Sequence, residues 1–230
     1  MLRRTSLVAL IAVTCTGVSC QITVPDDGTG PGYIQLDRVT GDITITAAMP
    51  DTSAVVTASL RRNGLPVVLH DGQEITINGS PLQGPSQNGL YTVTVPRAAA
   101  YVIRVVEPTL GTNETTVQAP ADFSISTPAA GETVSLSGGF DLTWTHATPE
   151  VTTVAVLTQV LTSLAVETLG PFPDDPAFRQ ITATDLMKFR QGANMTIKLS
   201  KTAQVNGIGG LAGGSVRVEL SQSTSVVPGP

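Results

Sequence analysis

The sequence predicts an all-β protein, and three features of its 230 residues support this prediction. Charged residues make up only 13% of the chain, whereas threonine, serine, valine, glycine and proline are abundant. That mixture suits short strands separated by turns. Apolar and polar residues alternate over many short segments, which is the period of a half-buried strand. The alternation stops at Ala119-Pro120-Ala121 and then begins again, so we expect two β-sandwiches in tandem.

The first predicted sandwich covers residues 33–119. Its strands are short alternating segments at residues 43–47, 55–60, 65–69, 75–77, 91–95, 101–106 and 115–117. Asn63-Gly64 and Asn78-Gly79 are residue pairs that favour tight hairpin turns. About seven short strands in such a length, separated by glycine, proline and asparagine, are typical of an immunoglobulin-like sandwich.

The second predicted sandwich covers residues 120–230. Its alternating segments lie at residues 123–125, 134–136, 140–145, 154–160, 164–166, 195–199 and 215–220. Trp144 is interpreted as the core tryptophan of this sandwich, buried against the opposite sheet. Residues 184–189 predict a helical turn with Thr184 as its cap, and residues 228–230 predict a loose end.

The first 19 residues have the layout of a cleaved signal peptide. Arg3 and Arg4 supply a positive region, residues 7–13 form an apolar core too short to span a bilayer, and small residues lead to Cys20. Residues 20–32 contain glycine, proline and paired aspartates, so we expect a flexible tether there. An exported protein is therefore predicted.

Val18-Ser19-Cys20 resembles the end of the signal in bacterial lipoproteins, although Gly17 stands where that family has leucine. The resemblance implies that Cys20 becomes the first residue of the mature chain and carries a lipid. Because residues 21–230 contain no cysteine, Cys20 has no disulfide partner in the mature chain. Gln21 after the cysteine implies the outer membrane. Cleavage elsewhere between residues 19 and 23, with an incidental cysteine, is the alternative.

The repeated sandwich pattern after this cysteine also resembles a layout of bacterial envelope lipoproteins, in which two immunoglobulin-like domains follow the lipidated residue. The matching stretches lie at residues 71–82, 91–96, 101–106, 126–131 and 140–145. They are turns and strand starts, so the resemblance implies a fold and leaves any ligand open.

The charge of the chain argues against nucleic acid as a partner. The formal net charge is −5, and removal of residues 1–19 takes away Arg3 and Arg4 and no acid, so −5 becomes −7. A thinly charged, acidic surface repels phosphate backbones and anionic membrane patches. Membrane association is therefore expected through the lipid on Cys20.

No catalytic constellation is recognisable in the sequence. His70 and His146 have no second histidine or cysteine at metal-binding spacing, and no Gly-x-Ser-x-Gly elbow occurs. The glycine-rich run at residues 207–214 leads into a strand instead of opening a helix, so a flexible hairpin loop is predicted there in place of a phosphate site. We expect no enzymatic activity and no cofactor.

Two weaker hypotheses concern binding. Asp174 and Asp175, in a proline-rich stretch, are weak candidates for a calcium site that would stiffen the protein. Tyr33, Tyr91 and Tyr101 form a sugar-stacking platform if the protein is a carbohydrate-binding module, although packing in a sandwich core is favoured.

The function predicted from the sequence is non-enzymatic. We expect a lipid-anchored protein of the bacterial cell envelope with a structural or adhesive role, presenting loops or strand edges to another envelope protein or a polysaccharide. The alternatives are a carbohydrate-binding module and a calcium-stiffened spacer of a secreted protein. A hydrolase is the least supported reading.

Overall fold

Strands dominate the computed structural model, which describes residues 34–86, 89–148 and 151–230. A short 3-10 helix (Leu36–Arg38) precedes the first strand. The strands before residue 119 are β1 (Thr40–Ala48), β2 (Ser53–Arg62), β3 (Leu65–Pro66), β4 (Glu74–Ile77), β5 (Ser80–Pro81), β6 (Leu90–Pro96), β7 (Ala100–Glu107) and β8 (Gly111–Gln118). Those after it are β9 (Ile125–Thr127), β10 (Thr133–Ser135), β11 (Phe140–Trp144), β12 (Thr152–Val160), β13 (Leu164–Pro173), β14 (Phe178–Ile181), β15 (Met195–Asn206) and β16 (Gly213–Gly229).

The two predicted asparagine-glycine hairpins are present. Asn63 and Gly64 have φ angles of 51° and 81°, and Asn78 and Gly79 have φ angles of 49° and 80°. Positive φ at both central residues defines the turn type whose twist matches that of paired strands. These turns fix the register of β2 with β3 and of β4 with β5.

One large sheet joins the two parts of the chain. Within the described residues it contains nine strands, with β13-β12-β15-β16-β1-β2-β3 as its main order, β6 beside β2 and β10 beside β16. The long strand β16 is the central element. Its first residues pair in parallel with β1, from Thr40 with Gly213 to Ala48 with Ser221, and its last residues pair with β10. Strand β15 pairs with β16 along most of its length.

A single face of β16 enters two hydrophobic cores. Val216 and Val218 are buried beside β1, in the part of the sheet built from the first half of the chain. Leu220 and Val226 belong to a second core cluster, which also contains Trp144. Because side chains two apart point to the same side of a strand, this one strand supplies both cores without a break.

Two smaller sheets complete the cores. The described residues of the first half form a four-stranded sheet, β5-β4-β7-β8, whose buried side chains include Ile75, Tyr101 and Ile103. Those of the second half form a three-stranded sheet, β14-β11-β9. Leu142 and Trp144 of β11 share the second core with residues of β12 and β15, so two layers of sheet pack face to face there.

The prediction of an all-β, immunoglobulin-like sandwich is confirmed. The predicted boundary at residues 119 and 120 falls between β8 and β9, where the chain forms no strand. Residues 35–230 nevertheless form one compact unit, because β15 and β16 pass through both halves. The described residues contain no helix that is both long and apolar enough to cross a membrane.

Three local predictions need correction. Residues 184–189 form no α-helix but a series of turns, in which Leu186 N–H donates to Ala183 O and Phe189 N–H donates to Leu186 O. The segment is capped at Thr182, whose N–H and hydroxyl both donate to Asp185 Oδ2, and not at Thr184. Bonds between residues three apart give tight turns that rarely extend.

The predicted loose end at residues 228–230 is also wrong, because β10 supplies a partner. Val134 lies opposite Pro228, Ser135 lies opposite Gly229, and the Ser135 hydroxyl donates to Pro230 O at 2.8 Å. Strand β14 was missing from the sequence-based prediction. Its residues, Phe178–Ile181, pair with β11 but are mostly exposed, so they lack a clear alternation.

Candidate functional site

A buried carboxylate lies in the second half of the chain. Asp174 follows β13 and is only 1% exposed. Its Oδ1 accepts hydrogen bonds from Trp144 Nε1 at 2.7 Å and from the Thr153 hydroxyl at 2.9 Å. Its Oδ2 accepts from the Thr148 N–H at 2.6 Å and from Lys201 Nζ at 2.9 Å. Four donors from separate segments therefore converge on one carboxylate.

The ammonium of Lys201 is buried as completely as its partner. Both side chains of the Lys201–Asp174 ion pair are 0% exposed. Lys201 Nζ also donates to His146 O at 2.7 Å and to Thr145 O at 3.4 Å, and it lies 4.7 Å from the ring centroid of Phe123. The charge is thus surrounded by a carboxylate, two carbonyl oxygens and an aromatic face, each of which stabilises a cation.

Burial shifts the pKa of Lys201. Desolvation lowers the pKa of its ammonium, while the hydrogen bond and the negative charge of Asp174 act in the opposite direction. Desolvation wins. The site therefore favours a neutral amine more than water does.

A cavity lies beside Asp174. Its volume is about 450 Å³, and its walls are Thr148, Val151, Thr152, Pro171, Phe172, Pro173, Asp174 and Asp175. Within the part of the chain that the structure describes, the Thr148 hydroxyl is buried and has no hydrogen-bond partner. The cavity is mostly apolar, so it is a space that can take up a small molecule such as water beside Asp174.

The weak calcium candidates, Asp174 and Asp175, lie in different surroundings. Both oxygens of Asp174 are taken by protein donors, one of which is a cation, so the carboxylate is not available to Ca²⁺. Asp175 is exposed. Glu167, a further acid of this region, pairs with Lys188 at 2.6 Å. No group of three or more acidic, histidine or cysteine side chains suited to a metal occurs in the described ranges.

The two histidines lie in different parts of the fold. His70 precedes β4, and its N–H donates to Gln73 Oε1 at 3.0 Å. His146 is exposed, its Nδ1 lies 2.8 Å from Asp122 O, and its carbonyl accepts from Lys201. The structure does not bring them together. The absence of enzymatic activity stays a prediction.

The sugar platform is wrong for the two tyrosines that the structure describes. Tyr91 and Tyr101 are each 1% exposed and pack in the core. The Tyr91 hydroxyl accepts from Leu69 N–H at 2.8 Å and donates to Val67 O at 3.1 Å. Burial raises the pKa of Tyr91, and the bond from Leu69 partly offsets this. Tyr33 lies outside the described residues, as does the anchor candidate Cys20 with the predicted signal peptide and tether.

The glycine-rich run is a hairpin loop, as predicted, but it is packed. Ile208 is 3% exposed, and Gly209 N–H donates to the Thr115 hydroxyl at 2.8 Å. A Cβ on Gly210 would lie 3.1 Å from Val105 Cγ1. The run is therefore rich in glycine because the loop approaches β7 and β8 closely.

An apolar surface lies at the end of the β12–β13 hairpin. We call it the apolar tip, and its members are Val160, Leu161, Leu164 and Val166, which are 68%, 43%, 64% and 38% exposed. Val160 lies directly opposite Leu164 in the sheet. Strand β13 ends the strand order, and no strand in the described part of the chain pairs with its other edge. An apolar cluster thus adjoins an edge that has no strand partner among the described residues and can accept a further strand, and one of its carbonyls, Val166 O, accepts from Lys188 Nζ at 3.4 Å.

Two features of the site were missed in the sequence. Met195, Ile197 and Leu199 alternate inward along β15, and the same period places Lys201 inward, whereas Lys198 is half exposed. The alternation along β15 therefore contains the information that Lys201 faces inward. The apolar tip gave no such signal, because Leu164 and Val166 have the alternation of any strand with one buried face.

Comparisons with known proteins add little to this geometry. No protein-family model matches the chain, and no curated protein matches it. Among solved structures, the chain is similar to fibronectin(III)-like modules of CbhA from Clostridium thermocellum, with 13% identity over 78% of this chain and 94% of that chain and a TM-score of 0.21. It is also similar to Dpr11 IG1 bound to DIP-gamma IG+IG2, with 9% identity over 80% and 97% of the two chains and a TM-score of 0.23. TM-scores of this size carry no argument about function.

Proposed function

We propose that the protein is a non-enzymatic module of the bacterial cell envelope that binds an extended segment of another protein at the free edge of β13. The observation that carries this proposal is the apolar tip on an unpaired edge strand. An extended segment that adds to the edge gains main-chain hydrogen bonds, and its side chains can cover Leu164 and Val166. Proteins usually protect a free edge strand from pairing with other chains. An exposed edge strand with apolar side chains therefore indicates a binding partner.

The buried polar groups support a binding module over an enzyme. The Asp174–Lys201 pair is enclosed and its donors are satisfied, so neither group is free to act on a substrate. Glu107, a second buried acid, accepts from Leu36 N–H at 3.2 Å and from Gln73 Nε2 at 2.7 Å, and it connects the 3-10 helix to β7. Both carboxylates hold chain segments together.

The partner site is tested by photo-crosslinking in intact cells. A photoreactive residue placed at Val160 should give one discrete adduct with another protein, and Leu164→Asp in the same chain should abolish it. The tip is exposed, so this substitution should change the free energy of unfolding by no more than about 0.5 kcal/mol. Mass spectrometry of the adduct identifies the partner.

Thr116 provides the matched control, because it is exposed on β8, an edge strand of polar residues. The same photoreactive group at Thr116 should give no discrete adduct. Equal labelling at both positions, or an adduct made of two copies of this chain, would contradict binding of a different protein at β13.

We further propose that a lipid on Cys20 holds the module at the membrane, most simply the outer membrane. The leader that ends at Cys20 and the lack of any later cysteine support this. Buried acyl chains contribute about 0.8 kcal/mol per CH2, so two or more chains on one residue suffice for stable anchoring. The protein purified from its own membrane should have the mass of residues 20–230 plus acyl groups, and Cys20→Ala should be unacylated and soluble. An unacylated, soluble wild-type chain would rule out the anchor.

A further inference from the structure

The buried ion pair brings together the two groups of an amide bond. Lys201 Nζ lies 2.9 Å from Asp174 Oδ2, and no solvent reaches either side chain. Transfer of one proton along this hydrogen bond converts the ion pair into a neutral amine and a neutral carboxylic acid. Burial lowers the pKa of the Lys201 ammonium, which favours the neutral amine that can react.

The surroundings of Asp174 suit attack on its carbonyl carbon. When an amine adds to Cγ, negative charge develops on one carboxyl oxygen. Trp144 Nε1 and the Thr153 hydroxyl already donate to Oδ1, at 2.7 Å and 2.9 Å, so they are placed to stabilise that charge. Their positions are fixed by β11 and β12, and no rearrangement is needed to reach them.

The amine is held as firmly as the carboxyl group. His146 O and Thr145 O also accept from Lys201 Nζ, at 2.7 Å and 3.4 Å. Contact between two groups held in a fixed orientation replaces a collision between separate molecules, which raises the effective concentration by many orders of magnitude. The reaction therefore needs only the folded chain.

We propose that Lys201 and Asp174 become joined by an intramolecular amide bond after the protein folds. The bond between Nζ and Cγ forms, and the bond between Cγ and Oδ2 breaks. Oδ2 leaves as water with two of the three ammonium protons, and the third stays on the amide nitrogen. Charge is conserved, no oxidant or reductant is required, and the neighbouring cavity, whose walls include residues Asp174 and Thr148, is the nearest space for the water once the carboxyl group has reacted.

The test is a tryptic digest of the denatured native protein, analysed by mass spectrometry. An acylated lysine is not cleaved by trypsin, so cleavage after Lys201 should be lost. Residues 199–217 should be found joined to residues 105–179, with a mass one water below the sum of the two peptides. Lys198, exposed on the same strand, is the internal control, and cleavage after it should be complete.

Two variants sharpen the test. In Asp174→Asn the same attack would expel ammonia, so the joined peptides should lie one ammonia below their sum. Lys201→Arg keeps a positive charge but cannot form the amide, and it should yield separate peptides only. Recovery of a free 202–217 peptide from the wild-type protein, with no joined species, would overturn the proposal whether or not either variant folds.

Discussion

Asp174→Ala is expected to lower the free energy of unfolding by about 3–5 kcal/mol relative to the ion-paired chain before any amide bond has formed, the usual effect of breaking a buried charge pair from one side. The substitution leaves the buried ammonium of Lys201 without its carboxylate. It also leaves Trp144 Nε1 and the Thr153 hydroxyl without their acceptor. Chemical denaturation followed by the fluorescence of Trp144, the single tryptophan of the chain, measures the change.

Asp175→Ala is the matched control, because Asp175 is the exposed neighbour of Asp174. Its effect should stay within about 0.5 kcal/mol. The double variant Asp174→Ala with Lys201→Met removes the uncompensated cation and should recover part of the lost stability. A single Asp174→Ala variant as stable as Asp175→Ala would show that the buried network contributes nothing to the fold.

The second large effect is expected at the start of β16. Gly214 has a φ of 121°, and a Cβ there would overlap the carbonyl oxygen of Gly41, its partner on β1. Gly214→Ala should therefore combine backbone strain with a clash against main-chain atoms and cost about 3 kcal/mol. Because β16 serves both cores, the fluorescence of Trp144 and the far-ultraviolet circular dichroism should report the same lowered midpoint.

Gly213→Ala is the natural comparison for this variant. Gly213 precedes Gly214 on the same strand, and a Cβ at Gly213 would meet no atom within 4 Å. We expect a change of less than about 1 kcal/mol. If Gly214→Ala left the Trp144 midpoint unchanged and produced a separate earlier transition by circular dichroism, the two halves would unfold independently, contrary to what the shared strand implies.

Local features of the fold could be predicted from the sequence. The alternation of apolar and polar residues predicts most strands, because each has one buried face. The asparagine-glycine pairs predict two turns, because these residues tolerate positive φ. Trp144 was recognised as a core residue, and it is 4% exposed. These predictions succeeded because the signals depend on neighbours in the chain.

Pairing over long distances could not be predicted. Thr40 and Gly213 lie opposite each other in the sheet, and nothing in either segment identifies the other. The same limitation explains why residues 228–230 were expected to be loose, because their partner is β10. The alternation of a segment predicts that it is a strand and needs a partner strand. It does not identify that partner strand.

The candidate site was only partly accessible from sequence. The proline-rich stretch marks Asp174 as an acid of interest, but its four donors come from β11, β12, β15 and the loop at Thr148, which are distant in the sequence. Lys201 could have been found from the inward period of β15. The apolar tip could not, because Leu164 and Val166 lie on the outer face of β13, and the alternation of the strand does not reveal whether another element covers that face.

The parallel pairing of β1 with β16 has a mechanical consequence. The chain enters β1 at Thr40 and leaves β16 at Gly229, and the two strands run in the same direction. Tension applied between these points pulls the strands along their lengths in opposite senses. The nine residue pairs from Thr40–Gly213 to Ala48–Ser221 are then loaded together in shear, instead of being unzipped one after another. The protein is built to resist stretching along this axis.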